Sequence, residues 1–240
     1  MAHFRDLKRR IRAGLSGPDW RREISELDQT PAGRLPGPLF SLLLDPDPLV
    51  RWRSVEAFGR AVARMADDPA QGGLEKARVI LRQCLWRLNE ESGSLGWGAP
   101  EALGETLARH ARLAGEFHRV LASYVREETV GEGNYLEHVP LRGSVFWALG
   151  RLAEARPGLL RAELPALLAG LAEEDAANRG LCAYALGLVC AGGDFPQVRQ
   201  ALRALVDDPA PFERFNGEEL TSLTVGQAAR EALGRLGEKG

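Results

Sequence analysis

The chain has 240 residues, of which 45% are hydrophobic and 27% charged, so its composition excludes a disordered or collagen-like protein. Lys and Arg number 31 and Asp and Glu number 33, a net charge of -2 without the basic excess typical of proteins that grip nucleic-acid phosphates. Leu, Ala, Arg, Glu and Gly dominate while β-branched residues are scarce, which predicts helices.

The first predicted elements are two helices, at about residues 3–15 and 19–29. The first is basic, and its apolar residues recur every three or four positions. This pattern favours a capping helix over the alternative, a helix that binds an anionic surface. We therefore predict an N-terminal helical cap over residues 1–35.

The chain shows no targeting segment or membrane span. Residues 1–12 are basic but precede no apolar segment, so no secretory signal is expected. The longest apolar run, residues 181–191, is too short to cross ~30 Å of hydrocarbon. The three cysteines form no CxxC pair and are typical of free thiols in a reducing compartment. We expect a cytoplasmic protein.

An internal repeat follows the cap. The tripeptide Ala-(Leu/Phe)-Gly recurs five times, ending at Gly59, Gly104, Gly150, Gly187 and Gly234. Before each copy lies another apolar, helix-like stretch, at residues 38–45, 79–89, 117–127, 164–175 and 198–208. Each repeat is therefore predicted to be a helix, a short turn and a second helix. One such pair cannot bury its apolar face alone, so stacked pairs are expected to share a continuous core.

The repeat resembles the HEAT repeat in its phycobilisome-lyase-like form. Residues 42–61, LLLDPDPLVRWRSVEAFGRA, are similar to that family's Asp-x-x-Val-Arg…Ala-Leu-Gly signature. The segment NEESGSLGWGAPEA at 89–102 is similar to small bacterial HEAT-repeat proteins. The resemblance implies an all-α, right-handed α-solenoid (an α-α superhelix) of about five helix pairs. The repeat array would be one continuous domain over residues 36–240.

Two positions in each second helix are predicted to face away from the core. Counted from Arg51 and its equivalents as zero, positions 3, 6, 7 and 10 are small or apolar, whereas positions 1 and 5 point roughly opposite. In the five repeats these two positions are Trp52 and Glu56, Trp97 and Glu101, Gly143 and Trp147, Gly180 and Tyr184, and Gln227 and Glu231. HEAT repeats usually carry Arg, Glu, Lys or Ala there. The four aromatic side chains favour a partner or ligand site, the alternative being rings packed on each other or on an inserted loop.

Two irregular segments and one turn add candidates to this site. Glu91 lies in the glycine-rich turn before Trp97. Tyr135 lies in an insertion at 128–141, and a second insertion at 207–223 carries two phenylalanines. Long loops on a rigid scaffold often carry function. We expect Glu91 and Tyr135 to contribute to this partner or ligand site.

A structural ladder is also predicted. An Arg stands eight residues before the repeat Gly at Arg51, Arg142 and Arg179, and an Asp stands four residues before two of these, at Asp47 and Asp175. In HEAT arrays such arginines pair with Asp and join neighbouring repeats. The resemblance thus favours a ladder over a strip that binds phosphates.

Enzyme signatures are missing from the sequence. It has no phosphate-binding loop ending in Gly-Lys-Ser/Thr and no HExxH, and His110 and His118 are too far apart to chelate a metal on one helix turn. We therefore expect a non-catalytic module, without metal or cofactor, that binds a segment of a protein partner in a concave aromatic-acidic groove. The alternative is an enzyme or ligand-binding protein using the same groove, similar to HEAT-like alkylpurine DNA glycosylases or to cofactor lyases. Nucleic acid is disfavoured because Glu56 and Glu101 would oppose phosphates.

Overall fold

A computed structural model of the chain describes residues 2–70, 72–89, 96–127 and 133–237. These ranges contain twelve α-helices, three short 3-10 helices and one two-stranded antiparallel sheet. The chain divides into two compact units, residues 1–114 and 115–240. No helix within the described residues is long and apolar enough to cross a membrane.

Unit 1 contains two helix pairs that follow helices α1 and α2. Its helices are α1 (Ala2–Ser16), α2 (Trp20–Glu26), α3 (Pro36–Leu42), α4 (Pro48–Ala66), α5 (Gly73–Leu88) and α6 (Ala99–Arg109), while α7 (Ala111–Ser123) runs on into unit 2. Two 3-10 helices follow α2, at Leu27–Gln29 and Ala32–Arg34. The second helices α4 and α6 pack against each other, and α3 and α5 pack on them. Ile11 and Leu15 of α1 are fully buried, so one side of α1 packs into the core of unit 1.

Unit 2 repeats this arrangement and adds a hairpin. Its further elements are α8 (Val139–Ala155), a 3-10 helix (Pro157–Glu163), α9 (Leu164–Gly170), α10 (Ala176–Val189), α11 (Pro196–Arg203), β1 (Pro211–Phe215), β2 (Leu220–Thr224) and α12 (Val225–Arg235). The central second helix α10 packs between α8 and α12. A mostly helical chain with its helices in repeated pairs is therefore confirmed.

Two of the tripeptide glycines lie where successive second helices come close together. A Cβ added to Gly59 would lie 2.9 Å from the carbonyl carbon of Glu105 on α6. A Cβ added to Gly187 would lie 2.7 Å from the Cα of Ala232 on α12. Only glycine leaves room for the next backbone at these two points.

The hairpin is the element that the sequence patterns did not predict. Antiparallel pairing places Phe212 opposite Leu223 and Phe215 opposite Leu220. The side chain of Asn216 closes the turn by accepting hydrogen bonds from the amides of Glu218 and Glu219, at 2.9 and 3.0 Å. The second strand then leads directly into α12, whose first turn is held by a capping box between Thr224 and Gln227.

Candidate functional site

Two tryptophan–glutamate pairs lie on or next to the second helices of unit 1. Trp52 and Glu56 are one helical turn apart on α4, and both are half-buried. Trp97 lies in the turn two residues before α6 and is 36% exposed, and Glu101 lies half-buried in the first turn of that helix. We call these four residues the second-helix face of unit 1. Glu91, which we predicted to join them, lies outside the described residues.

The second-helix face carries more carboxylates than cations. Arg109, near the end of α6, contacts Glu105 at 2.5 Å and reaches Glu56 of α4 at 3.4 Å. Glu101 stands one turn before Glu105 on the same helix. Glu105 is buried, and Arg60 on α4 also interacts with Glu56, so the carboxylates that the face itself contributes are those of Glu56 and Glu101. Such a surface is suited to a cationic side chain.

In unit 2 the corresponding face is covered, and the prediction that Trp147 is exposed is wrong. Trp147 is 8% exposed, and its indole Nε1 donates a hydrogen bond to the backbone carbonyl of Phe215 at 3.4 Å. Phe212 and Phe215 of β1 are also buried. The inserted hairpin lies over the aromatic side chains of α8 and α10, which was the structural alternative left open by the sequence.

Tyr184 is also engaged by the hairpin. The guanidinium of Arg214 on β1 lies 3.9 Å from the centre of the Tyr184 ring, and that of Arg235 on α12 lies 5.2 Å away. The Tyr184 hydroxyl donates a hydrogen bond to Glu154. Burial, reinforced by the Glu154 carboxylate, raises the pKa of Tyr184 well above its ordinary value, so the hydroxyl remains a donor.

The glycines at position 1 have a packing role in unit 2. A side chain on Gly180 would collide with the ring of Phe212, and a Cβ on Gly143 would lie 2.6 Å from Oδ1 of Asn178. A strand residue and an amide therefore fill the space beside these glycines.

Tyr135 lies in unit 2 against the ladder arginine Arg142, whose guanidinium is 5.1 Å from the centre of the ring. Burial raises the pKa of Tyr135 above its ordinary value. The ring lines a cavity of about 450 Å³ together with Phe146, Pro165 and Glu173.

The ladder arginines join repeats through partners that were not predicted. Arg142 donates hydrogen bonds to the carbonyls of residues 136 and 137, six and five positions earlier. It also donates to the carboxylate of Glu173, at 2.5 and 2.6 Å. Arg179 does the same with residues 173 and 174 and with Asp208, at 2.8 and 3.0 Å. Each arginine thus fixes its own turn and reaches the carboxylate of the next repeat. Arg51 makes the two carbonyl contacts, at residues 45 and 46.

The predicted pairing of these arginines with Asp47 and Asp175 is corrected by the structure. Asp47 caps α4, because its carboxylate accepts from the amide of Leu49 at 2.9 Å. Asp175 caps α10 through the amide of Asn178 at 2.9 Å. An Asp four residues before the Arg therefore starts the second helix rather than neutralising the Arg.

No family model matches the sequence, and no curated protein matches it. Among solved structures, two engineered proteins from the Northeast Structural Genomics Consortium superpose with TM-scores of 0.53 and 0.52. Their sequence identities to this chain are 18% and 16%. The superpositions cover 96% and 97% of this chain, and 90% and 89% of the engineered proteins. A designed armadillo repeat protein in complex with a (KR)4 peptide has a TM-score of 0.47 at 16% identity. The superposition covers 95% of this chain and 98% of the designed protein. Likeness at these identities concerns the fold, so the HEAT assignment stays a resemblance.

Sequence reasoning missed Trp86, which is 60% exposed on α5. The sequence pattern of residues 79–89 predicts a first helix. Its buried residues are Ala77, Leu81, Cys84 and Leu88. Trp86 is two positions after Cys84, about 200° around the helix, so the helical period would have placed it in solvent.

The three cysteines are buried thiols. Within the described ranges, no three His, Cys, Asp or Glu side chains are grouped to hold a metal ion. Burial raises the pKa of the Cys84 thiol to about 12 and that of Cys190 to about 11, which keeps both thiols protonated and poorly nucleophilic.

Proposed function

We propose that this protein is an interaction module that binds a basic, extended segment of a partner protein along the second-helix face of unit 1. One observation carries the proposal. In two neighbouring repeats, a tryptophan is followed four residues later by a glutamate, within α4 for Trp52 and across the start of α6 for Trp97, which is the more exposed of the two tryptophans.

The chemistry of these pairs favours Lys or Arg in the partner. An indole face attracts a cation with about 0.5–2 kcal/mol, and a neighbouring carboxylate orients the same group by a charge-assisted hydrogen bond. Arg109 supports this because it places a guanidinium between Glu56 and Glu105 of the two helices. Second helices in such packing lie about 8–10 Å apart, so cationic side chains two or three residues apart in an extended chain would reach both pairs.

The hairpin of unit 2 supports an extended conformation for the bound segment. Strand β1 lies on α10 with Phe212 over Gly180 and Arg214 over the ring of Tyr184. Its backbone accepts a hydrogen bond from Trp147. The same two helix positions therefore hold an extended, arginine-bearing strand inside this protein, and a partner segment on unit 1 would use equivalent contacts.

The same charge distribution argues against a glycosylase-like function on this face. Duplex DNA needs cations at the surface that receives its phosphates, whereas the second-helix face of unit 1 is made of two tryptophans and the carboxylates of Glu56 and Glu101. A cofactor lyase would need a site for its prosthetic group, and the described residues offer no observation that selects one. An interaction module is therefore the function that we retain.

Titration with synthetic peptides tests the proposal. The probe is a peptide of alternating Arg and Ser, with a matched peptide of alternating Glu and Ser, and the readout is calorimetry. Wild type should bind the arginine peptide, and the Trp97→Ala/Glu101→Gln variant should bind it at least about tenfold more weakly. Trp86→Ala is the matched control, since it removes an exposed tryptophan elsewhere in unit 1. Equal binding by the double variant, at unchanged helicity, would refute the proposed site.

A further inference from the structure

A second surface of unit 1 is formed by α1, α3, α5 and the turn 43–47 after α3, and we call it the basic face. Its helices are in contact. The Phe4 ring lies against Gly37 of α3, where an added Cβ would be 3.2 Å from the ring. The guanidinium of Arg87 on α5 lies 4.5 Å from the centre of the Phe40 ring on α3. Helix α3 therefore contacts both α1 and α5.

Positive charge is concentrated on the basic face. Helices α1, α3 and α5 contain nine Lys or Arg, against the two acids Asp6 and Glu75. The nine are Arg5, Lys8, Arg9, Arg10, Arg12, Lys76, Arg78, Arg82 and Arg87. Adding Asp45 and Asp47 of the turn still leaves an excess of five positive charges, in a chain whose net charge is -2. This asymmetry indicates an anionic partner.

The basic face also carries the most exposed apolar side chains of the described residues. Trp86 is 60% exposed, Leu44 52%, and Phe4 and Val79 44% each. Val79 and Trp86 are two helical turns apart on α5 and point away from its buried stripe. Large apolar side chains of this exposure, set among basic residues, are typical of a surface that another phase or molecule covers.

We infer that the basic face binds the surface of a membrane that contains anionic phospholipids. Lys and Arg would contact the lipid phosphates, while Trp86, Phe4 and the aliphatic side chains enter the headgroup region, where tryptophan is favoured. Leu44 and Val79 favour lipid over nucleic acid, because an aliphatic side chain has no π face on which a base can stack. Ile11 and Leu15 of α1 are buried in the core, so the whole face binds rather than a detached α1.

Sedimentation with vesicles tests this inference on the full chain. The protein should sediment with vesicles of phosphatidylcholine and phosphatidylglycerol, remain free with phosphatidylcholine alone, and be released by salt. Arg5→Gln and Arg10→Gln should each weaken binding about fivefold, since each cation near such a surface contributes about that factor. Arg161→Gln, an exposed arginine of unit 2, is the matched control and should have no effect.

Fluorescence quenching tests the apolar part of the contact. Brominated acyl chains should quench the tryptophan emission of wild type, and Trp86→Phe should lose most of that quenching while still sedimenting. The Phe4→Ala/Trp86→Ala variant should bind about tenfold more weakly, whereas Trp97→Ala should bind like wild type.

Tighter binding to a single-stranded oligonucleotide or to a polyglutamate peptide than to the anionic vesicles would overturn the inference. So would unchanged vesicle binding by the Phe4→Ala/Trp86→Ala variant. Binding of the arginine peptide does not involve the basic face, so the two proposals fail separately.

Discussion

The indole Nε1 of Trp147 donates a hydrogen bond to the backbone carbonyl of Phe215, which lies 68 residues later in the chain. This bond joins the hairpin to α8 and explains why Trp147 is buried, although its position in the helix is predicted to face solvent. In unit 2 the aromatic residues at this position are therefore covered by a strand of the same unit. In unit 1 the tryptophan of the second repeat, Trp97, is 36% exposed.

Gly180 tests the packing of this hairpin. Gly180→Ala should lower the free energy of unfolding by about 1–3 kcal/mol, because the new methyl group collides with the ring of Phe212. Urea denaturation measures the change. The matched control is Gly158→Ala, where no atom lies within 4 Å of the added Cβ. If both variants unfold alike, the hairpin does not pack on α10 as described.

Glu173 tests the ladder through its pH dependence. Although burial by itself would raise it, hydrogen bonds from Arg142 and Asn178 hold the pKa of Glu173 below its ordinary value. A carboxyl whose pKa is lower in the folded state adds stability above its unfolded pKa, and this contribution disappears as the pH falls through the folded pKa. Glu173→Gln should therefore cost about 1–3 kcal/mol at neutral pH.

The difference in the free energy of unfolding between wild type and Glu173→Gln should then become smaller as the pH falls below about 4, the ordinary pKa of a carboxyl group. Urea denaturation at neutral and acidic pH measures it. The exposed neighbour supplies the control, and Glu174→Gln should change little at either pH. A difference that stays constant with pH would show that the ion pair with Arg142 does not act on stability.

Asp47 distinguishes a helix cap from an ion-pair partner. Because its carboxylate accepts from amides at the start of α4, Asp47→Ala should cost about 1 kcal/mol, whereas Asp47→Asn should cost little, since asparagine caps equally well. Thermal unfolding of the two variants measures this. Equal losses in both would restore the predicted pairing with Arg51.

The helix pairs were predictable because their signal is local. Gly59 and Gly187 stand where the next second helix approaches, so the contact itself repeats along the sequence. The position of Arg142 was read correctly, but its partner Glu173 lies 31 residues away and follows no fixed spacing. The hairpin was not predictable, because its burial depends on Gly180 and Trp147, far from residues 211–224, and its short strands show little alternation. The helical period predicts that Trp97 is exposed, as the structure shows. It also predicts that Trp147 is exposed, which is wrong because the hairpin covers this side chain.

Charge reversal at Glu101 is the measurement that tests the central claim most directly. If the second-helix face of unit 1 recognises a basic segment, wild type prefers the Arg/Ser peptide to the Glu/Ser peptide. Glu101→Lys should then lose at least about tenfold in affinity for the basic peptide and gain affinity for the acidic one, because one new cation replaces one carboxylate beside Trp97. Calorimetry with both peptides, on a variant of unchanged helicity, measures the two affinities. An unchanged preference for the basic peptide in Glu101→Lys would contradict the account.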